Sequence, residues 1–116
     1  MEFSSSLKKN YEFRRLYHKG KSYAAPSLVV YWRRNGSRCN RLGITVSNKI
    51  GKAVVRNKIR RRLREIYRLN EGRFNRGLDI VVVARARSVN TDYHKLEADF
   101  LHACAKLGIL RKPGEE

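Results

Sequence analysis

The chain has 116 residues and a formal net charge of +17, because 27 Lys and Arg residues outnumber 10 Asp and Glu residues. At 41% hydrophobic, residues 1–116 suit a single domain with one modest core, and no Pro-, Gly- or Ser-rich linker divides them. No segment approaches the roughly 18 consecutive apolar residues of a membrane span, and the N-terminus lacks a secretory signal, so we expect a soluble, cytoplasmic protein.

The first predicted element is a short helix that ends before Gly20. Its apolar side chains follow Ser6 at close to helical spacing, and they are Leu7, Tyr11, Phe13, Leu16 and Tyr17. Two strands come next, because Leu28 to Trp32 (LVVYW) is β-branched and aromatic and Arg41 to Ser47 (RLGITVS) alternates apolar with small or polar residues. Asn35-Gly36 supplies turn residues between them.

The segment from Lys49 to Arg68 (KIGKAVVRNKIRRRLREIYR) is strongly basic and still carries the apolar spacing of a packed helix. At roughly 100° per residue, one narrow arc holds its apolar residues, which are Val55, Ile59, Leu63 and Ile66. The opposite side holds a row that we call the basic strip, which consists of Arg56, Asn57, Arg60, Arg61, Arg64 and Arg68. We predict a helix that ends near Gly72, with one face on a core and the other against a polyanion.

Two further elements complete the chain. Leu78 to Ala84 (LDIVVVA) is a continuous apolar run, which is typical of a central strand covered on both sides. Asp92 to Leu107 has helical apolar spacing, with Thr91 or Asp92 available as the cap, and residues 111–116 are predicted to form a flexible tail. The order α-β-β-α-β-α indicates an α/β (α+β) sandwich, in which a small mixed sheet packs against helices.

The size of the charge favours nucleic acid as the partner. A basic amphipathic helix could instead bind a membrane surface, but the apolar face here is aliphatic and lacks the Trp or Phe that interfacial helices favour. The charges could also be a solvated surface without a partner. Self-repulsion at +17 argues against that interpretation, because it destabilises a compact state unless counter-charge is bound.

The sequence shows no catalytic or metal-binding residues of its own. General acid–base chemistry or a two-metal site needs clustered His or carboxylate groups. Between residues 12 and 99 the acidic residues are scattered singly, at Glu12, Glu65, Glu71, Asp79, Asp92, Glu97 and Asp99. Cys39 and Cys104 lie far apart without His partners at metal-ligand spacing, so we interpret them as free thiols.

The segment from Arg56 to Arg64 (RNKIRRRLR) closely resembles the RNR motif of the bacterial ribonuclease P protein family. That motif is usually written Gly-x-Ala-Val-x-Arg-Asn-x-Ile-Lys-Arg-x-x-Arg. The matching residues are Gly51, Ala53, Val54, Arg56, Asn57, Ile59, Arg61 and Arg64, with Arg60 where Lys is common. The departures from the family pattern are few: Thr45, Asn48 and Lys52 stand where Ser, Lys and Asn are frequent.

The resemblance extends over nearly the whole chain and in the family's order. LKKNYEF and LYHKG (residues 7–13 and 16–20) are similar to its opening helix, LGITVSNKIGKAVVRN (42–57) to its strand-to-helix passage, and DIVVVAR (79–85) to its last strand. An arginine-rich helix alone occurs in many ribosomal and DNA-binding proteins. Several segments that match the family in its order are a far more specific signal than such a helix.

The resemblance implies a subunit of a ribonucleoprotein endonuclease that removes the 5′ leader from precursor tRNA, with catalysis by the RNA subunit and its Mg²⁺ ions. It implies that the basic strip faces the catalytic RNA and that a cleft takes the single-stranded leader. The residues at the family's cleft positions are Phe13, Tyr17, Val29 and Tyr31. The partners would be the catalytic RNA and precursor tRNA, with no membrane and no obligate protein partner. The resemblance also implies a left-handed strand–helix–strand crossover, against the usual right-handed rule.

Several alternatives remain open from the sequence. A structural ribosomal protein or a general RNA chaperone would show the same charge, and a self-sufficient nuclease would need the clustered carboxylates that this chain lacks. The cleft aromatics could simply fill the core. We favour the cleft for Tyr17 and Tyr31, whose hydroxyls prefer water or a partner, whereas Phe13 and Val29 fit either role. Gly51 could let the helix start approach a phosphate or could be a plain turn residue.

Overall fold

The computed structural model describes residues 3–111. The helices of this range are α1 (Asn10–Lys19), α2 (Ala53–Asn70) and α3 (Tyr93–Leu107). Its strands are β1 (Ser4–Ser6), β2 (Lys21–Ala24), β3 (Leu28–Arg34), β4 (Asn40–Thr45) and β5 (Leu78–Ala84). Short 3-10 turns lie at Asn48–Ile50, Glu71–Arg73 and Ala86–Asn90. The strands form one five-stranded sheet in the order β1-β4-β5-β3-β2.

The sheet is mixed because its central strand has one parallel and one antiparallel neighbour. β5 pairs in parallel with β4 and antiparallel with β3. α2 joins β4 to β5, which confirms the predicted strand–helix–strand unit. The outer strand β1 runs parallel to β4, and the outer strand β2 runs antiparallel to β3. These pairings, with the helices packed against the sheet, confirm the predicted fold class.

The predicted order of elements was incomplete, because β1 and β2 were missed. β1 consists of three serines and β2 reads KSYA, so neither shows the alternation of a half-buried strand. Both are exposed edge strands that pair with the backbone of a longer neighbour. Before the basic helix, Asn48–Ile50 forms a 3-10 turn, and α2 begins at Ala53.

The main hydrophobic core lies on the sheet face that α2 and α3 cover. β3 and β5 contribute Val30, Ile80 and Val82, each no more than 2% exposed. The helices cover them with residues at the predicted apolar positions, which are Ile59, Leu63, Ile66, Leu96, Phe100 and Ala103. Full burial of an aliphatic or aromatic side chain stabilises a fold by about 1.5–3 kcal/mol. This layer therefore fixes the position of α2 against the sheet.

The opposite face of the sheet carries a smaller cluster under α1. Leu16 of α1 and Val81 of β5 are fully buried there, together with Leu7. α1 has only 10 residues, so it covers only part of this face. Phe13, Tyr31 and Val83 surround the cluster and stay partly exposed. The short helix therefore leaves an aromatic surface beside it.

The predicted start and cap of the last helix are confirmed. Asp92 accepts a hydrogen bond from the backbone N–H of Lys95 at 2.8 Å, and α3 ends at Gly108, whose φ of 72° lies in the left-handed region. The predicted tail begins at Arg111, whose backbone N–H donates to the carbonyl of Arg73 at 2.7 Å. The rest of that tail, residues 112–116, lies outside the described residues.

Candidate nucleic-acid interface

The basic strip runs along the side of α2 that is not packed on the core. Arg61, Arg64 and Arg68 are exposed, whereas Arg56 and Arg60 are half-buried and flank the buried stripe. The predicted division of the helix into an apolar and a basic face is confirmed, although Val55 is only half-buried. Because the buried stripe is held by the core, the strip's side chains project from fixed positions along the helix.

Neutral acceptors orient two of the strip's guanidinium groups. Arg56 donates from Nε to the carbonyl of Gly51 at 3.1 Å and from Nη1 to Oδ1 of Asn48 at 2.8 Å. Arg60 donates from Nη1 to Oδ1 of Asn57 at 3.1 Å. An amide or carbonyl oxygen restricts a guanidinium without cancelling its charge. These contacts therefore leave the charge available to an anionic partner.

Arg68 differs from the rest of the strip because it has a carboxylate partner. Its Nη2 lies 2.5 Å from Oε1 of Glu65, one turn earlier on the same exposed surface. The hydrogen bond from Arg68 lowers the pKa of the Glu65 carboxyl. The strip's charge is therefore partly compensated at its C-terminal end, and Arg56 to Arg64 carry the stronger field.

A groove of about 620 Å³ separates α1 from the end of β4. Its lining residues are Asn10, Phe13, Arg14, Tyr17, Ile44, Thr45, Val46 and Arg60. A smaller pocket beside it, of about 210 Å³, is lined by Phe13, Gly43, Arg60 and Arg64, among others. Arg60 thus belongs to the strip and to both cavities. The strip and the groove form one continuous surface.

The two aromatic residues of α1 line this groove. The Tyr17 side chain is 37% exposed, and its hydroxyl shares a 2.9 Å hydrogen bond with Oγ1 of Thr45. Phe13 is half-buried and packs against Gly43, where a Cβ atom would lie 2.5 Å from its ring. Phe13 therefore fills space against the sheet and forms the groove wall at once.

The two predicted cleft residues on β3 lie on the same sheet face but outside the groove lining. Tyr31 contacts Tyr17 edge to face, with ring centroids 5.1 Å apart. Val29 pairs with Val83 of β5 and is half-buried. The structure therefore brings Phe13 and Tyr17 into the groove, with Tyr31 behind Tyr17 and Val29 further along the strand.

The sequence pattern missed five residues of the groove lining, which are Asn10, Arg14, Ile44, Thr45 and Val46. Asn10 and Arg14 lie on the same side of α1 as Phe13 and Tyr17, since positions i, i+3, i+4 and i+7 share one helical face. Thr45 lies on the same face of β4 as Gly43, which packs beneath Phe13, because alternate residues of a strand share a face. Both periodicities are visible in the sequence, but only the packing of α1 shows which face is open.

The interpretation of the carboxylates as scattered singly was wrong for one pair. Asp79 accepts two hydrogen bonds from Arg41, at 2.8 Å from Nε and 2.7 Å from Nη2, and Glu12 of α1 is ion-paired with the same guanidinium. Hydrogen bonding to Asp79 raises the pKa of Arg41. The register of β4 and β5 places Arg41 opposite Asp79. The ion pair between Arg41 and Glu12 then ties α1 to the sheet.

Further potential sites in the described residues are limited. Within residues 3–111, no three His, Cys, Asp or Glu side chains lie close enough to hold a metal ion. Over the same range, no helix has both the length and the apolar content needed to cross a bilayer. Cys39 is exposed and Cys104 is buried, both as free thiols, and burial raises the pKa of Cys104.

The sequence matches a known protein family over most of its length. The family model described as Ribonuclease P matches residues 1–108. The chain belongs to the ribonuclease P protein family. The ribonuclease P protein component of Natranaerobius thermophilus is 41% identical over 107 residues, which cover 92% of this chain and 93% of that protein. The family is that of a protein component of ribonuclease P, a tRNA-processing endonuclease and ribonucleoprotein.

Solved structures of ribonuclease P proteins share this fold. The protein from Staphylococcus aureus superposes with a TM-score of 0.84 at 34% identity, covering 91% of this chain and 97% of that one. The protein from Thermotoga maritima gives a TM-score of 0.77 at 37% identity, covering 84% of this chain and 92% of that one. The predicted family resemblance is therefore confirmed in sequence and in fold.

Proposed function

We propose that this ribonuclease P protein binds the catalytic RNA subunit through the basic strip and holds the 5′ leader of precursor tRNA in the groove. The observation that carries the proposal is the position of Arg60, which belongs to the strip and lines the groove. A surface of this kind can hold two RNA segments side by side. The leader would then lie next to the catalytic RNA that cleaves it.

The chemistry of each part suits its RNA segment. Guanidinium groups can engage phosphates through two parallel hydrogen bonds, and the strip's helix holds them in a fixed row. In the groove, the exposed Tyr17 offers an aromatic surface on which a base can stack without its sequence being read. Arg14 and Arg60 lie close by to contact the leader backbone. These groups position the leader and perform no bond cleavage.

Catalysis is assigned in this proposal to the RNA subunit and the Mg²⁺ ions that it holds. Mg²⁺ would supply charge stabilisation at the reacting phosphate. The protein's part is to increase the local concentration of the leader and to offset the repulsion between two polyanions. Its uncompensated arginines are suited to both tasks.

A reconstitution tests the proposal. The protein, a bacterial ribonuclease P RNA and a precursor tRNA are combined at low Mg²⁺, and leader removal is compared with that by RNA alone. We expect faster removal with the protein, because its cations replace part of the metal-ion screening. An unchanged rate would favour the RNA-chaperone alternative. Cleavage by protein and Mg²⁺ without the RNA would show a self-sufficient nuclease.

A further inference from the structure

A second pocket lies at the other end of the sheet from the groove. Its volume is about 480 Å³, and it forms where β3 ends and β5 begins. Trp32 and Arg34 of β3 line it from one side and Asn75 and Arg76 from the other. We call it the end pocket. Neither the basic strip nor the groove includes any of its lining residues.

Arginine residues dominate the charge around the end pocket. Arg34 and Arg76 line it, and no carboxylate does so among the described residues. Arg73 and Arg111 are neighbours across a backbone hydrogen bond beside it, and Asn75 is tied to the same C-terminal segment by its N–H bond to Ile109. The carboxylate of Asp79, which follows the lining residue Leu78, is engaged by Arg41 and is not free to neutralise the pocket.

The walls of the end pocket are held in place before any ligand arrives. Gly77 has a φ of 83°, and a Cβ there would lie 2.5 Å from the carbonyl oxygen of Ser37, so the two loops touch backbone to backbone. The backbone N–H of Asn35 donates to the carbonyl of Gly77 at 2.9 Å. The guanidinium of Arg76 lies 4.4 Å from the centroid of the Phe3 ring. A fixed, cationic concavity of this kind suits an anion.

Trp32, which lines the end pocket, carries one unpaired donor on its buried side. The Nε1 atom of Trp32 is buried and has no hydrogen-bond partner among the described residues. Native proteins seldom leave a buried N–H unpaired. The buried indole N–H is closed to solvent, so the donors that a ligand can reach are those of the two lining arginines. A phosphodiester carries only acceptors at neutral pH.

We propose that the end pocket is a second phosphate-binding site, which takes a phosphodiester of an RNA strand. Like the basic strip, the end pocket is lined by arginines. It lies past the end of α2, where Arg73 follows Asn70 by three residues, and so extends the cationic surface beyond that helix. The choice of RNA as the source of the phosphate rests on the proposed function. The site would widen the RNA footprint of the protein from one helix to the end of the sheet.

Trp32 is the only tryptophan in the chain and lines this pocket, so its fluorescence reports on the pocket without a contribution from another tryptophan. The protein is titrated with a ribonuclease P RNA transcript while Trp32 emission is recorded. We expect the emission to change on binding, and to change equally at saturation in the strip variant Arg61→Gln. The double variant Arg34→Gln/Arg76→Gln should lose this response. Unchanged emission of the wild-type protein at saturating RNA would overturn the proposal.

Salt dependence supplies the second readout. Removal of two phosphate contacts should lower the slope of log Kd against log salt by about 1.4–1.8 in Arg34→Gln/Arg76→Gln. The matched pair Arg15→Gln/Arg87→Gln removes the same charge from exposed positions elsewhere and should leave the slope unchanged. An equal loss in both pairs would show a general charge effect and overturn a specific site. Circular dichroism verifies that each variant is folded.

Inorganic phosphate distinguishes the source of the anion. A response of Trp32 to phosphate and to RNA, lost in both cases in the double variant, supports the site. A response to phosphate alone would assign the pocket to free anions and reject an RNA strand. A response to RNA without any acceleration in the reconstitution would leave the end pocket standing and remove the proposed function.

Discussion

At the scale of single residues, the arginines have different contacts in the fold and therefore different roles. Arg64 is exposed and has no ion-pair partner within residues 3–111, Arg68 is paired with Glu65, and Arg41 is shared by two carboxylates. Arg41 therefore holds the fold together, whereas Arg64 is available to an external anion. Net charge counts these residues equally, and only the contacts separate them.

The difference between Arg64 and Arg68 can be measured. Arg64→Ala should weaken binding to the RNA subunit and lower the slope of log Kd against log salt by about 0.7–0.9. Arg68→Ala should lower it less, because Glu65 already compensates part of that charge. Filter binding over a KCl series measures both slopes. An unchanged slope in Arg64→Ala would remove this residue from the RNA interface.

Tyr17 is the residue whose ring is best placed for the leader. Tyr17→Ala should weaken binding of precursor tRNA relative to mature tRNA by about 1–3 kcal/mol, since a stacked base is lost. Tyr17→Phe is the matched control, because it keeps the ring and loses only the hydrogen bond to Thr45. Tyr31→Ala should also weaken binding of precursor tRNA relative to mature tRNA, because the Tyr31 ring packs against Tyr17. Equal weakening for both tRNAs would place these rings in the core alone.

At the scale of elements, close contacts decide where α1 lies. Gly20 joins α1 to β2, and a Cβ there would lie 2.6 Å from the carbonyl oxygen of Leu16 and 2.9 Å from that of Trp32. Gly43 faces the ring of Phe13 at a similarly short distance. The first contact is with backbone, which cannot move without shifting a helix or a strand. The second is with a side chain, which can rotate.

The two glycines should therefore respond differently to substitution. Gly43→Ala should displace Phe13, with a loss of stability of about 1–3 kcal/mol and weaker binding of precursor tRNA. Gly20→Ala should destabilise the protein more, because backbone must move. Urea unfolding measures the free energies, and a fluorescent leader oligonucleotide reports on the groove. Greater stability loss in Gly43→Ala than in Gly20→Ala would contradict this ranking.

Asp99 links α3 to the loop before β3. Its buried carboxylate accepts hydrogen bonds from the hydroxyl of Ser27 at 2.7 Å and from its backbone N–H at 3.2 Å, and it lies 3.0 Å from Nζ of Lys95. Burial opposes the charged form of Asp99, but the bonds from Ser27 and Lys95 outweigh it and lower its pKa below the ordinary value of 3.8. The ionised form therefore stabilises the fold.

The stability contributed by Asp99 should depend on pH with a definite sign. Because the pKa is lowered in the folded state, the contribution is fully present above pH 3.8 and is lost as the pH falls through the folded value. Asp99→Asn should cost about 1.5–3 kcal/mol near neutral pH and less in acid. Thermal or urea unfolding at several pH values tests this. A constant difference between the two proteins down to acid pH would contradict the assignment.

At the scale of the whole molecule, the charge is unevenly compensated. Ion pairs in residues 3–111 involve Glu12, Glu65, Asp79 and Asp99, while the chain has 27 Lys and Arg residues. The strip, the groove and the rim of the end pocket therefore form a largely uncompensated cationic surface. Repulsion among these charges destabilises the free protein, and a bound polyanion removes that repulsion.

Salt and polyanions should therefore stabilise the free protein. We expect Tm to rise as KCl is increased from about 50 to 300 mM, because screening shortens the range of charge repulsion. A short single-stranded RNA at low salt should raise Tm further through binding. Differential scanning fluorimetry measures both effects. A fall of Tm with added KCl would mean that ion pairs outweigh repulsion in the free protein.

The sequence by itself determined the long elements and the family. Leu78–Ala84 agrees with the predicted strand at both ends, and the two faces of α2 follow from a periodicity that local spacing alone sets. The family motif lies within one helix and its approach, so it is also readable without coordinates. β1 and β2 could not be read from the sequence, because short polar strands form through pairing with the backbone of a neighbouring strand.

Only the tertiary structure decided which of these residues meet. Arg41, Glu12 and Asp79 lie far apart in the chain and are joined by strand register, and Arg60 becomes part of the groove because α1 packs beside it. The end pocket combines β3, the loop before β5 and the end of α3. Periodicity specifies which way a side chain faces within its own element. It carries no information about the neighbouring element, because that contact is set by packing between distant segments.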